Sequence, residues 1–139
     1  MQLVYDRTQT DVLLGTDKGR YGAADLNRVE QAVGQLCGLA AMLDLDCALQ
    51  LKTDWALPRV FSPETWPTRK QMARYLMNVQ YLCDTMALAA KLPTTMERLT
   101  WENANEIERA LQLVFNRIQG ILQAFRFSGE LYAGEENQL

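Results

Sequence analysis

Apolar residues recur at three- and four-residue steps in three separate stretches of this chain, and that pattern sets the fold expectation. Leu26, Val29, Val33, Leu36, Ala40 and Leu43 trace one stripe; Met72, Leu76, Val79, Cys83, Met86 and Ala90 trace a second, widened by Tyr75 and Leu82. A third runs through Ala104, Ile107, Leu111, Val114, Ile118, Ile121 or Leu122, and Phe125, and a seam this long needs a partner helix along it. The spacing predicts helices over about 24–45, 69–91 and 101–126. Boundary chemistry agrees with it. Asp25 stands where an acidic side chain meets free amides, Thr68 with Gln71 fits a capping box, Pro93 stops the second helix, and Thr100 caps the third.

The remaining stretches lack that period. Residues 1–22 hold Gly15, Gly19 and Gly22 among alternating charges, which suits an extended arm and turns better than a helix. The segment 46–67 carries Pro58, Pro63 and Pro67 together with Trp55, Phe61 and Trp66, so it reads as an ordered aromatic connector. Residues 128–139, "SGELYAGEENQL", read as a C-terminal tail anchored by Leu131 and Tyr132. The expected architecture is all-α: a three-helix bundle over 23–127, an extended N-terminal arm, the proline-rich connector and the tail.

Composition narrows the chemistry. A chain of 139 residues with 48% hydrophobic content is long enough for one core. The formal charge of −3, without a clustered basic run, argues against a nucleic-acid partner. Histidine is absent, which removes the usual general base and zinc ligand. Cys37, Cys47 and Cys83 form no C-x-x-C pair, and an odd count with no leader-like start reads as free thiols in a reducing cytoplasm. The most apolar run, Val33 to Leu49, contains Asp44 and Asp46 and is too short and charged to span a bilayer.

Candidate chemistry concentrates in "ENANEIE", Glu102 to Glu108. Glu102 falls in the first turn, where the helix dipole favours it; Glu106 and Glu108 are expected on a solvated or contact surface, with Arg109 beside Glu106. Carboxylate metal sites in bundles place glutamates and histidines inward, and here the inward positions are apolar, so no metal, cofactor or catalytic role is expected. Asn78, Asn103 and Asn105 sit in helices that asparagine disfavours, which leaves two readings: a structural bond to a connector's backbone, or a partner contact. Trp55 and Trp66 are either bundle-capping core or a docking surface. "GTDKGRYG", 15–22, lacks phosphate-loop spacing and reads as a turn.

Five stretches in order, "YDRTQTDV", "DLNRVE", "RYLMNVQYL", "ANEIERAL" and "SGELYAGE", resemble a family of small proteins encoded in phages and prophages of Gram-positive bacteria. Members of that family typically lie among tail and baseplate structural genes. The resemblance implies a non-enzymatic virion component, present in several copies among other phage structural proteins, without nucleic-acid or membrane partners. It also implies that Asn27, Arg28, Asn78, Asn105 and Glu108, at the family's polar positions, fix the bundle and its connectors. Tyr5, Arg7, Glu106 and Tyr132 complete the candidate interface or structural residues. The rival expectation is a small intracellular regulatory or assembly factor that binds through the charged face of the third helix.

Overall fold

The computed structural model describes residues 1–56 and 67–138, with side chains placed through residue 125. Its secondary structure is entirely helical among the described residues: α1 (Gln9–Leu14), α2 (Ala23–Ala41), α3 (Arg69–Thr85) and α4 (Trp101–Gln138). Helices α2, α3 and α4 each pack against the other two. The core between them is formed by the predicted stripes, with Val29, Leu36, Val79, Leu82, Ile107, Leu111, Val114 and Ile118 all fully buried.

The three long helices run in the same direction. Residues 45–56 lie antiparallel to α2, with Cys47 bridged to Cys37, Leu51 against Gly34, Lys52 at Glu30 and Trp55 at Asn27. The same stretch lies antiparallel to α3, with Asp46 at Tyr81 and Gln50 at Asn78 and Arg74. Helices α2 and α3 are therefore parallel. Residues 86–100 make the equivalent return, since Lys91 pairs with Glu106 of α4 while Glu97 reaches Arg69 at the start of α3. Helices of 17 to 19 residues span about 25–29 Å, which an extended return of about ten residues covers.

Each reversal has the same local cause. After α2, Asp44 adopts a left-handed conformation (φ 58°), and the amides of Leu45 and Asp44 bond back to Ala40 and Ala41. After α3, Ala87 (φ 53°) repeats the motif with Leu88 and Ala87 bonded to Cys83 and Asp84. Both helices thus stop earlier than their apolar period suggests, at Ala41 rather than 45 and at Thr85 rather than 91. Beyond the first stop the chain alternates: Leu43, Leu45, Cys47 and Leu49 are partly buried, while Asp44, Asp46, Ala48 and Gln50 are exposed, the burial pattern of an extended segment on an apolar surface.

Two terminal expectations need correction. The N-terminal stretch is not wholly extended, because Thr8 and Asp11 form a capping box and Gly15 (φ 64°) closes a one-and-a-half-turn helix. The Thr8 amide and hydroxyl hold the Asp11 carboxylate below the usual aspartate range. At the other end α4 does not stop near 126 but continues to Gln138, so residues 128–138 are helical. At 38 residues, about 57 Å, α4 is twice as long as α2, and among its described side chains the last to pack against the core are Ile121 and Leu122.

Candidate functional site

The polar residues singled out in the sequence gather into two buried clusters, each tying an irregular segment to the helices. In the first, Arg7 from the N-terminal segment and Arg28 from α2 converge on Asp25 and Glu108. Arg7 Nη2 donates to Glu108 Oε2 at 2.6 Å and to Asp25 Oδ1 at 3.1 Å. Arg28 donates through Nε to Glu108 Oε1 at 2.7 Å and through Nη2 to Asp25 Oδ1 at 2.6 Å. Two cations face two anions, so the cluster is neutral and nearly dry: the side chains of Arg7 and Glu108 are 2% and 0% exposed. Its hydrogen bond to Glu108, followed by that to Asp25, drives the Arg28 pKa further above its already high range.

Asn105 completes this cluster. Its Oδ1 accepts from the Arg7 amide at 3.1 Å while its Nδ2 donates to the Arg7 carbonyl at 2.9 Å, so one side chain replaces a neighbouring strand. Glu108 Oε1 accepts from the Val4 amide at 3.0 Å, and the Arg7 guanidinium donates to the carbonyls of Val4 and Lys18. Arg7 also stands 5.5 Å from the centre of the Tyr21 ring.

The second cluster repeats the device on the return from α2. Asn27 Oδ1 accepts from the Trp55 amide at 2.7 Å and Nδ2 donates to its carbonyl at 2.9 Å. Fully buried Glu30 accepts from Trp55 Nε1 at 2.5 Å and pairs with Arg74, while Arg74 and Asn78 both donate to the Gln50 carbonyl. No described buried side-chain polar atom lacks a hydrogen-bond partner. Nearby, the hydroxyls of Tyr21 and Tyr75 share a 2.5 Å hydrogen bond, and burial pushes both above the usual tyrosine range.

Several expectations change here. Glu108 is not on a solvated surface: the N-terminal segment covers that side of α4, so a position adjacent to the seam lies inside. Glu106 is also mostly covered, 15% exposed, because the 86–100 return brings Lys91 over it and Asn103 donates to it at 3.2 Å. Asn103 bonds Thr100 as the third residue of the helix, in a capping arrangement. Cys37 and Cys47 are not free thiols but form a disulfide, leaving Cys83 as the one free cysteine, buried and pushed up to about 11 by desolvation. The bridge joins residues that the reversal at Asp44 folds side by side.

Tyr5 is exposed, with Arg109 stacked 6.0 Å from its ring centre and donating to its carbonyl. Trp55 is buried in the core, whereas Trp66, Phe61 and the side chain of Tyr132 lie outside the described residues. No family model, curated protein or solved structure matches the chain. Among the described residues no group of three or more acidic or cysteine side chains could hold a metal ion, and no helix is long and apolar enough to cross a membrane. Asp25, Glu30 and Glu108, the buried carboxylates, are turned onto arginines and backbone amides.

The two buried residues that sequence reasoning passed over are Asp25, seen only as a cap, and Glu30. Asp25 does bond the Gly22 amide at 2.8 Å, but its other oxygen joins the ion cluster. Glu30 lies beside the apolar stripe one residue after Val29, and a buried partner for it could be suspected only once the Trp55 return was known.

Proposed function

We propose that the protein is a non-enzymatic structural component of a phage virion, in the tail or baseplate, built as a three-helix bundle that works through contacts with other phage structural proteins and with further copies of itself. The observation that carries this reading is how the covered polar groups are used: half-buried Asn27 and buried Asn78, Asn105, Glu30 and Glu108 all bond the backbone of connecting segments. A subunit of a repeating assembly needs fixed connectors at its surface, because those connectors meet its neighbours. The five-motif resemblance to phage tail-region proteins supports the same reading. On this proposal the protein is made in the host bacterial cytoplasm, ends in the virion and uses no cofactor, nucleic acid or membrane.

The test is mass spectrometry of purified virions or tail particles from a host carrying the gene, with copy number measured against the major tail protein. A fixed copy number per particle is expected. An abundant protein in the lysate that is missing from the particle would replace this reading with a regulatory or assembly factor.

A further inference from the structure

The bridge between Cys37 and Cys47 spans the reversal at Asp44, and both of its residues are half-buried against the core, whereas Cys83 is buried. Their Cα atoms lie 5.4 Å apart, inside the range a disulfide spans. That closeness does not depend on the bridge. The Leu45 amide bonds back to Ala40, the Tyr81 hydroxyl donates to the Asp46 carbonyl at 2.7 Å, and Asn78 donates to the Gln50 carbonyl at 2.9 Å, so the chain on both sides of Cys47 is tied to α2 or α3 by other means. Leu51 also packs on Gly34, one turn before Cys37, where an added β-carbon would come within 3.0 Å of it. The hold is uneven along the return. At its far end Asn27 takes both backbone groups of Trp55 and buried Glu30 takes the indole, but at the Cys47 end the bonds from Tyr81 and Arg74 are exposed to water, which leaves the bridge as the strongest tie there.

We propose that Cys37 and Cys47 form a reversible redox lock on the start of the 45–56 return, opened by a small thiol and closed by a small disulfide. In opening, an external thiolate attacks one of the two sulfurs, the bond between them breaks, and the electron pair leaves on the other sulfur, which takes a proton from water. A second external thiolate then attacks the mixed disulfide, so two external thiols are oxidised to one disulfide and the protein gains two thiols. Closing is the reverse, with the external disulfide as oxidant. Partial exposure admits the attacking thiol, and the bonds at Leu45, Asp46 and Gln50 keep the released pair together, so the same bridge re-forms. Cys83, buried beneath α3 packing, offers no rival partner. In the reduced state the segment from Leu45 to Leu51 opens locally, while the Trp55 anchor and the helical core stay closed.

The experiment incubates the full chain without denaturant in reduced and then in oxidised glutathione, alkylates free thiols at each stage, and reads the sites by mass spectrometry and the fold by circular dichroism. Two labels, at Cys37 and Cys47, are expected to appear on reduction and vanish on reoxidation, with Cys83 unlabelled and the helical spectrum unchanged. Once the thiol is removed, a brief thermolysin pulse is expected to cut the reduced protein between Leu45 and Leu51 at least ~tenfold faster than the bridged protein. The C37S/C47S variant is expected to be cut at the reduced rate in either buffer, which separates loss of the bridge from other effects of the thiol. Three free thiols that persist in oxidised glutathione, or a bridge that resists the thiol until urea is added, overturns the lock. So does a reduced protein that loses its helices or labels at all three cysteines, or cleavage of the reduced protein or the variant as slow as that of the bridged form. Every measurement uses the isolated chain, so failure here is distinguishable from failure of the virion reading.

Discussion

Asn105 of α4 holds both backbone groups of Arg7, accepting from its amide and donating to its carbonyl, and Asn27 of α2 treats Trp55 in the same way. The chain thus satisfies extended segments with side chains where a sheet would use another strand. Asn105→Ala leaves two backbone groups at a buried site unpaired, at a cost of ~1–3 kcal/mol, and frees the N-terminal segment. Hydrogen exchange should quicken at Arg7 in that variant and at Trp55 in Asn27→Ala, each leaving the other site protected. Equal loosening of both segments would show that they open as one unit.

Glu108 meets two arginines in a dry setting, so removing it strands their charge. Glu108→Ala is expected to lower unfolding free energy by ~3–5 kcal/mol in urea titration, the usual cost of breaking a buried pair from one side. Glu102→Ala, at an exposed first-turn position, should cost less than ~1 kcal/mol. A Glu108 variant as stable as wild type would mean that water reaches the cluster.

Tyr21 and Tyr75 are both raised above the ordinary tyrosine pKa of about 10, so the folded state binds their protons more tightly than the unfolded chain does. Their contribution is complete below pH ~10 and is lost as pH climbs above that value toward the folded-state pKa. Stability measured by denaturant should therefore fall on alkaline titration, and Tyr21→Phe should reduce that slope. An unchanged slope in the variant would assign the alkaline loss to other groups.

Thiol chemistry separates the cysteines. The native, non-reduced protein should label slowly or not at all at neutral pH, because Cys83 is buried with its pKa near 11 and the other two are bridged. Reduction followed by denaturation should expose all three. Breaking the bridge by Cys47→Ser should cost ~2–3 kcal/mol, since a closed loop of this size removes that much chain entropy in the unfolded state.

Ala87 pays for a left-handed turn without being glycine. Ala87→Gly should raise stability by up to ~1 kcal/mol in thermal or urea unfolding, the relief of the steric clash exceeding the added entropy of the unfolded chain. A loss of stability would show that the methyl group contributes packing beyond the turn.

Helix existence was legible because a buried stripe must repeat with the helix's own period. Leu26 to Ala40, Met72 to Cys83 and Ile107 to Ile118 obey that rule and form the core. Helix ends were less legible. The stops at Asp44 and Ala87 use residues that carry no stop signal, and the apolar residues after them, Leu45 and Leu88, continue the count while belonging to extended chain. The alternation from Leu43 to Leu49 was present as a period-two signal, but it overlaps the end of a helical stripe.

By itself, the sequence determined the helical class, the three core stripes and the capping residues Thr68 and Thr100, because these depend on neighbours within a few positions along the chain. It also marked Asn78 and Asn105 as asparagines placed where a helix disfavours them, while Asn27, Arg28 and Glu108 stood out only through the resemblance to phage tail-region proteins. Only the tertiary structure decided that the long helices run parallel, that the returns lie along them, and that Arg7 meets Glu108 across 101 positions. The physical reason is separation: periodicity reports which face of a helix is buried but not what covers it, and a buried charge has meaning only once its distant partner is in place.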